Sequence, residues 1–197
     1  MTNIYIRPER PADHRAVEEL TRAAFNYPER IARSKIGCPL EHYMVHQLRK
    51  RDGIMELNFL AEVDGQIVGH IIYSHASILR PDGTSITVLN FGPLSVLPQY
   101  QRMGVGGALL KHSIEEARKL IHGAILFFGQ PDYYPRFGFV PAEKFGITDR
   151  NGHNYPAFMA MELKPGYLAD AAGRFIESDI YDDDLNREPA KEFDVAF

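Results

Sequence analysis

The chain is short of the residues that would make it a disulfide scaffold, a membrane protein or a nucleic-acid binder. Cys38 is its only cysteine, and it has no tryptophan. A single thiol allows no intrachain disulfide and no cysteine-based zinc site, and no metal is expected. The longest apolar run, near Ala124–Phe128, is far below the ~20 residues that a membrane helix needs. The opening Met-Thr-Asn-Ile-Tyr-Ile-Arg lacks the apolar core of a signal peptide. The expectation is a cytoplasmic protein with no membrane partner. Basic residues are in deficit as well: 22 Lys and Arg face 26 Asp and Glu, a net charge of −4. Proteins that displace counterions from nucleic-acid phosphates normally carry a basic surplus, so no nucleic acid is expected as a partner.

What is present is ordinary for a folded soluble chain. Of the 197 residues, 45% are hydrophobic and 24% charged, enough for one sizeable core. The charge is unevenly placed. From Lys164 onward there are 4 basic and 9 acidic residues, so this segment holds −5 and the body before it about +1. The division expected is a domain over residues 1–163 and an acidic extension over 164–197. That extension is either a solvated tail or a segment docked through Phe175, Ile176, Ile180, Tyr181 and Phe193.

Periodicity outlines the body. Asn3–Arg7 alternates as a first strand. Asp13 is suited to cap a helix carrying Val17, Leu20 and Ala24, which Asn26-Tyr27-Pro28 stops. A second helix from about Pro39 places Leu40, Met44 and Leu48 on one face, with Gly53 closing it. The link from Tyr27 to Cys38 shows no clear pattern. Glu56–Val63 leads into Asp64-Gly65, a two-residue hairpin signal, and Gln66–Ile78 returns. Pro81-Asp82-Gly83 turns the chain into Ser85–Val96, which contains Gly92-Pro93. A helix from Met103 to about Ile121 follows, with Met103, Gly106, Leu110, Ile114, Ala117 and Ile121 as its stripe and Glu115–Lys119 as an exposed pair. Gly123 ends it. Ala124–Phe128 reads as a buried strand and Ala157–Leu163 as the last one. Strand, crossover helix and strand make a right-handed parallel unit. With antiparallel strands before it, the fold class is mixed α/β.

The most informative stretch runs from Leu94 to Leu110: an apolar strand, a proline turn, a short glycine-rich loop, then a helix. Such a junction presents backbone N–H groups with no partner inside the helix, where peptide dipoles add partial positive charge. A phosphate or pyrophosphate fits there, and the glycines let it approach the main chain. The spacing excludes two glycine-loop families. No Lys follows Gly106 or Gly107 as a P-loop requires, and Leu109 stands where a dinucleotide fingerprint needs its third Gly or Ala.

What remains is Gln101-x-x-Gly104-x-Gly106 with a small residue and a Leu pair after it and Leu94-x-Val96-x-Pro98 before it. This closely resembles the acetyl-CoA-binding motif of the GNAT family of N-acetyltransferases, and the likeness covers roughly residues 3–163. The resemblance implies a largely antiparallel central sheet with a parallel, splayed strand pair. In that gap the pantetheine arm pairs with main-chain groups, so Pro93 costs little. It assigns cofactor binding to Leu94, Ser95, Val96, Gln101, Arg102, Met103, Gly104, Val105, Gly106, Gly107 and Ala108, with acetyl-CoA as co-substrate. Many relatives pair, so a homodimer is compatible with it.

A second segment, Gly129-Gln130-Pro131-Asp132-Tyr133-Tyr134-Pro135-Arg136-Phe137-Gly138-Phe139, is similar to a bacterial subgroup of that family whose substrates are poorly defined. GNAT chains commonly carry a Tyr four residues before a Gly-Phe pair, facing the cofactor's sulfur, and Tyr134 has that offset. Gly129-Gln130-Pro131 departs from the Asn or Ser of many relatives. The implied activity is acetyl transfer to a primary amine of a small molecule or protein by direct attack in a ternary complex. A phenol stays protonated at neutral pH, so Tyr134 suits the donor to the departing thiolate. Arg102 and Arg136 are candidates for the cofactor's phosphates. No general base stands out. Asn90 is the polar residue before Gly92, and Glu62, His70 and His75 lie on neighbouring strands. The alternative reading is a catalytically silent acyl-CoA sensor.

Overall fold

The computed structural model describes residues 3–197. The strands are β1 (Tyr5–Pro8), β2 (Gly53–Val63), β3 (Gln66–Leu79), β4 (Ser85–Val96), β5 (Ala124–Phe128), β6 (Val140–Pro141), β7 (Ile147–Thr148), β8 (Phe158–Glu162) and β9 (Gly173–Ile176). The helices are α1 (His14–Phe25), α2 (Pro28–Ser34), α3 (Glu41–Lys50), α4 (Val105–Lys119) and α5 (Asp183–Val195). The sheet is mixed: β1–β2, β5–β8, β6–β8 and β3–β9 pair antiparallel, whereas β4–β5 and β7–β9 are parallel. Two compact units form. One holds residues 3–73, Pro93–Ser113 and Asp179–Phe197; the other holds Ser74–Gly92 and Ile114–Ser178. Each therefore draws on residues from both sides of Leu163.

In the first unit α1, α3 and β2 meet through Val17, Val45 and Leu60, all fully buried. Asp64 at φ 51° and Gly65 at φ 77° are both left-handed, the backbone of the two-residue turn that joins β2 to β3. The stretch from Tyr27 to Cys38 contains α2, started by Pro28 at a position where its missing N–H costs nothing. What anchors α2 is charge: Arg30 Nε bonds Glu41 at 2.5 Å and Arg30 Nη1 bonds Asp183 at 3.0 Å.

The chain beyond Leu163 carries regular structure, so a solvated tail is not what forms. In the first unit, Ile180 and Ala190 are fully buried with Leu40, Met44, Leu48 and Ile72. Asp182 caps α5 by accepting from the N–H groups of Asp184 and Leu185. Arg22 holds Asp194 at 2.5 Å. In the second unit β9 pairs with β3, Ser77 opposite Ile176, so β8 is not the last strand.

The second unit's core is Ile78, Val88, Ala124, Leu126, Phe158, Ala160 and Phe175. The helix after the glycine loop starts at Val105 rather than Met103, because Arg102 (φ 61°) and Gly104 (φ 91°) are left-handed. Met103 and Ile121, expected at the ends of its stripe, are 47% and 68% exposed, whereas Val105 and Leu109 are buried. The pair expected between Glu115 and Lys119 is replaced by Arg118–Glu115 and Lys119–Glu116. Ile121, at φ 63°, turns the chain after α4. Gly123 serves packing instead: a Cβ there would overlap the ring of Tyr167. Among the described residues, no helix is long and apolar enough to cross a membrane.

Candidate active site

The glycine loop, in the first unit, offers a run of free donors. Gly104's carbonyl accepts the N–H of Ala108 at 2.9 Å, the first bond of α4. Among the described residues no acceptor meets the main-chain N–H groups from Arg102 to Gly107. Six amides at the positive end of a 15-residue helix make an anion-binding concavity. Residues 101–104 are exposed, and a Cβ on Gly104 would meet nothing within 4 Å, so the hollow is open rather than filled by side chains. The guanidinium of Arg102 makes no ion pair with a described residue. These residues fit a diphosphate.

Two of the expected positions have their polar groups engaged within the chain. Ala108's amide is already bonded to Gly104 and cannot serve a ligand. Gln101 acts as a brace, its N–H bonding Pro98's carbonyl at 3.3 Å and its side chain donating to Val96's carbonyl at 3.2 Å.

Before the loop, Leu97's amide donates to Val68's carbonyl on β3 at 2.9 Å. Strand alternation turns Ser95's main chain to that same side and the N–H groups of Leu94 and Val96 to the opposite edge. Ser95 is buried, with its hydroxyl donating to Thr21 at 3.0 Å, so of the three only Leu94 and Val96 face outward with their amides. Gly69 on β3 fixes how closely α4 approaches. A Cβ there would stand 2.8 Å from Val105 Cγ1 and 2.9 Å from Leu109 Cδ1.

In the second unit Tyr134 opens a short 3-10 turn, Tyr134–Phe137. Its ring packs edge-on to Phe127 at 4.5 Å and Tyr133 at 5.0 Å, with Phe91 and Phe139 each at 6.0 Å. The hydroxyl bonds no described residue. Burial pushes the phenol's pKa well above its ordinary value, so it keeps its proton. Gly129 explains the departure from Asn or Ser: a Cβ there would overlap the Tyr134 ring.

The candidate bases are engaged elsewhere. Glu62 bonds Arg7 at 2.8 Å. His70 is fully buried against Asn58 at 2.8 Å, and burial lowers its pKa. His75 is exposed beside the ring of His122. Arg136 bonds Tyr133's carbonyl at 2.8 Å and covers that residue's ring, which commits it locally. Asn90 is buried and donates to Glu177 Oε2 at 2.7 Å. That brings a carboxylate from beyond β9 to the strand where sequence offered only an amide.

Residues 56–141 match the acetyltransferase (GNAT) domain model, a span that includes β4, the amide loop, α4, β5 and Tyr134. The chain is thus similar to GNAT acetyltransferases over a span that is just under half of its length. The uncharacterized N-acetyltransferase YhbS of Escherichia coli is 27% identical over 169 residues, 85% of this chain and 92% of that protein. The uncharacterized N-acetyltransferase YjhQ of the same species is 39% identical over 85 residues, 43% of this chain, which thus matches 46% of YjhQ's length. The crystal structure of E. coli YhbS in complex with CoA shares the fold, with a TM-score of 0.78 at 22% identity, over 92% of this chain and 93% of that one. A GNAT acetyltransferase from Brucella melitensis in complex with acetyl-CoA gives 0.67 at 26% identity, over 92% and 99%.

Three positions around the candidate site escaped the sequence reading. Gly69 and Gly129 sit in strand-like runs where glycine is normally a weakness, and only their three-dimensional neighbours, α4 and Tyr134, explain them. Glu177 lies 87 residues from its partner Asn90, beyond any spacing rule.

Proposed function

We propose that this protein is an acetyl-CoA-dependent N-acetyltransferase of the GNAT type, acting on a primary amine by direct attack in a ternary complex. The observation that supports it most is the run of unpartnered amides from Arg102 to Gly107 at the head of α4. Neutral donors aimed at one hollow hold a diphosphate without the desolvation cost of buried cations. Acetyl-CoA supplies an activated thioester carbonyl. Leu94 and Val96 offer edge amides to the pantetheine arm, and an amide there is suited to polarise the carbonyl as charge builds on its oxygen.

Tyr134 acts on the leaving group. A thiol's pKa is ~8.5 and a phenol's ~10, and burial takes this phenol further up, so full proton transfer from Tyr134 to sulfur is uphill. Its contribution is a hydrogen bond that strengthens as negative charge gathers on sulfur. The proton lost by the amine nitrogen balances the one gained by the thiol.

The test is calorimetry with coenzyme A followed by thiol release from acetyl-CoA across a panel of primary amines. Micromolar affinity and amine-dependent release support the proposal. Absent affinity overturns it, and affinity without release by any amine replaces it with the sensor reading.

A further inference from the structure

In the first unit one buried polar contact joins α1 to β4, and the proposed chemistry makes no use of it. The hydroxyl of Ser95 donates to Thr21 Oγ1 at 3.0 Å, and both residues are fully buried. Burial alternates along this end of β4: Pro93 and Ser95 are buried, whereas Leu94 and Val96 are half-buried. Ser95 thus turns its side chain to α1, and the residues on either side of it point the other way. Those two residues carry the outward amides offered to the pantetheine arm.

The contact is not what holds α1 in place. Val17, one turn before Thr21 on the same face, packs with Val45 and Leu60. Arg22 holds Asp194 at 2.5 Å, and Glu18 takes Arg49 at 2.7 Å. Nor is a pair of hydroxyls the most stable filling for the space. A buried hydrogen bond between neutral groups adds little net stability, and an apolar pair of the same shape does about as well. What the pair supplies is direction, since a hydrogen bond fixes a distance and an angle that apolar contact leaves loose. Pro93 has no N–H to give, so this stretch of β4 starts one donor short. At its far end Leu97's amide meets Val68's carbonyl at 2.9 Å, and Gln101's side chain meets Val96's carbonyl at 3.2 Å. Thr21 pins the residue between.

We infer that Thr21 is a positioning residue for the cofactor: through Ser95 it sets the aim of the Leu94 and Val96 amides toward the pantetheine arm. This deepens the acetyl-CoA reading and rests on it for the identity of the ligand. Only one part of that ligand is concerned. The diphosphate is assigned to the amides of Arg102–Gly107, and the helix behind them comes close to β3 at Gly69 through Val105 and Leu109. Neither contact passes through Thr21.

The experiment compares coenzyme A with adenosine diphosphate, which keeps the diphosphate and lacks the pantetheine arm. Calorimetry, with competition for the weaker ligand, is run on the full chain as wild type, as Thr21→Ser, and as the double variant Thr21→Val with Ser95→Ala. A thermal scan accompanies each. The double variant replaces both hydroxyls by groups of similar shape and leaves no buried donor unpaired, so its melting temperature is expected to stay within a few degrees of wild type. Its affinity for coenzyme A is expected to fall about threefold to tenfold, the scale of one hydrogen bond. Its affinity for adenosine diphosphate is expected to stay within about twofold. Thr21→Ser keeps the hydroxyl and is expected to bind both ligands as wild type does. An equal change for the two ligands, no change for either, a Thr21→Ser protein that behaves like the double variant, or a double variant without a cooperative melt each overturns the inference. Coenzyme A bound by wild type and equally by the double variant overturns this inference and leaves the acetyl-CoA reading standing. If wild type fails to bind coenzyme A or adenosine diphosphate, that reading falls and this inference falls with it.

Discussion

Gly129 and Tyr134 are fitted to one another: the space a Cβ would need at Gly129 is taken by the Tyr134 ring. The end of β5 and the aromatic turn therefore specify each other, and Tyr134 cannot keep its place beside Phe127 if residue 129 has a side chain. Gly129→Ala is expected to displace the ring and lower turnover at least about tenfold, since a misplacement of about 1 Å is that costly. Coenzyme A affinity, measured by calorimetry, is expected to stay within about twofold, because the donors of Arg102–Gly107 are untouched.

Tyr134→Phe isolates the hydroxyl from the ring. The ring contacts with Phe127, Phe91 and Phe139 remain, so folding is preserved, and only the hydrogen bond proposed to the departing sulfur is lost. A loss of about tenfold in kcat is expected, about 1.4 kcal/mol of transition-state stabilisation, with the KM for acetyl-CoA nearly constant. Steady-state rates with a fixed amine measure both numbers, and an unchanged kcat would remove Tyr134 from the chemistry.

Gly104 tests the amide loop. Its φ of 91° is one that side-chain-bearing residues rarely adopt, and there is open space around it, so Gly104→Ala strains the backbone without a clash. The strain is of the order of 1–2 kcal/mol. The loop relieves it by rotating peptide planes, which turns the amides away from their common focus. Coenzyme A affinity is expected to fall about tenfold while the melting temperature drops by only a few degrees. Calorimetry beside a thermal scan separates the two effects.

How far the sequence carried depended on whether a feature was local. The bounds of β4 and β5 were legible to the residue because Ser85–Val96 and Ala124–Phe128 are apolar runs between turn signals. The Asp64-Gly65 hairpin was legible because two consecutive left-handed residues are a demand that Asp and Gly meet. The glycine spacing marked the turn before α4, where Gly104 is left-handed, but not that the amide of Ala108 and the side chain of Gln101 are engaged within the chain. α2 was not, because its anchor Arg30 answers to Asp183, 153 positions on. Nor was the partnership of Asn90 with Glu177. The α4 stripe was misread at both ends because periodicity alone does not show where left-handed residues interrupt a helix.

Arg30 carries the heaviest burden among these long-range contacts. Its guanidinium is 8% exposed and Glu41's carboxylate 9%, and burial raises the Glu41 pKa against the pull of Arg30. Arg30→Leu leaves Glu41 buried and unpaired, which is expected to cost about 3–5 kcal/mol. Adding Glu41→Gln removes the stranded charge and is expected to restore part of that loss. Denaturant unfolding of the two variants measures the difference, and equal stabilities would show that the Glu41 charge is not the source of the cost.

His42 makes stability depend on pH in a direction that can be worked out. It is fully buried in the first unit, its ring near Phe193 and Phe197 at 5.3 and 5.2 Å, with no hydrogen bond to either ring nitrogen. Burial lowers its pKa to about 4 from an ordinary 6.5, although Asp194 at 3.2 Å pulls the other way and Arg22 assists burial. Between those two values the unfolded chain binds a proton that the folded one refuses. Stability from this group is therefore fully present above about pH 6.5 and is lost as pH falls towards 4. The expected loss between pH 7.5 and 5 is about 2 kcal/mol. Asp194 and Glu9 have lowered pKa values and titrate below this window, while His70, also lowered by burial, adds a loss of the same sign. Comparison with His42→Leu isolates the single residue. Urea unfolding at pH 7.5, 6 and 5 is expected to give a wild-type curve steeper than the variant's by about 2 kcal/mol over that range, and parallel curves would show that His42 takes up its proton alike in the folded and unfolded chain.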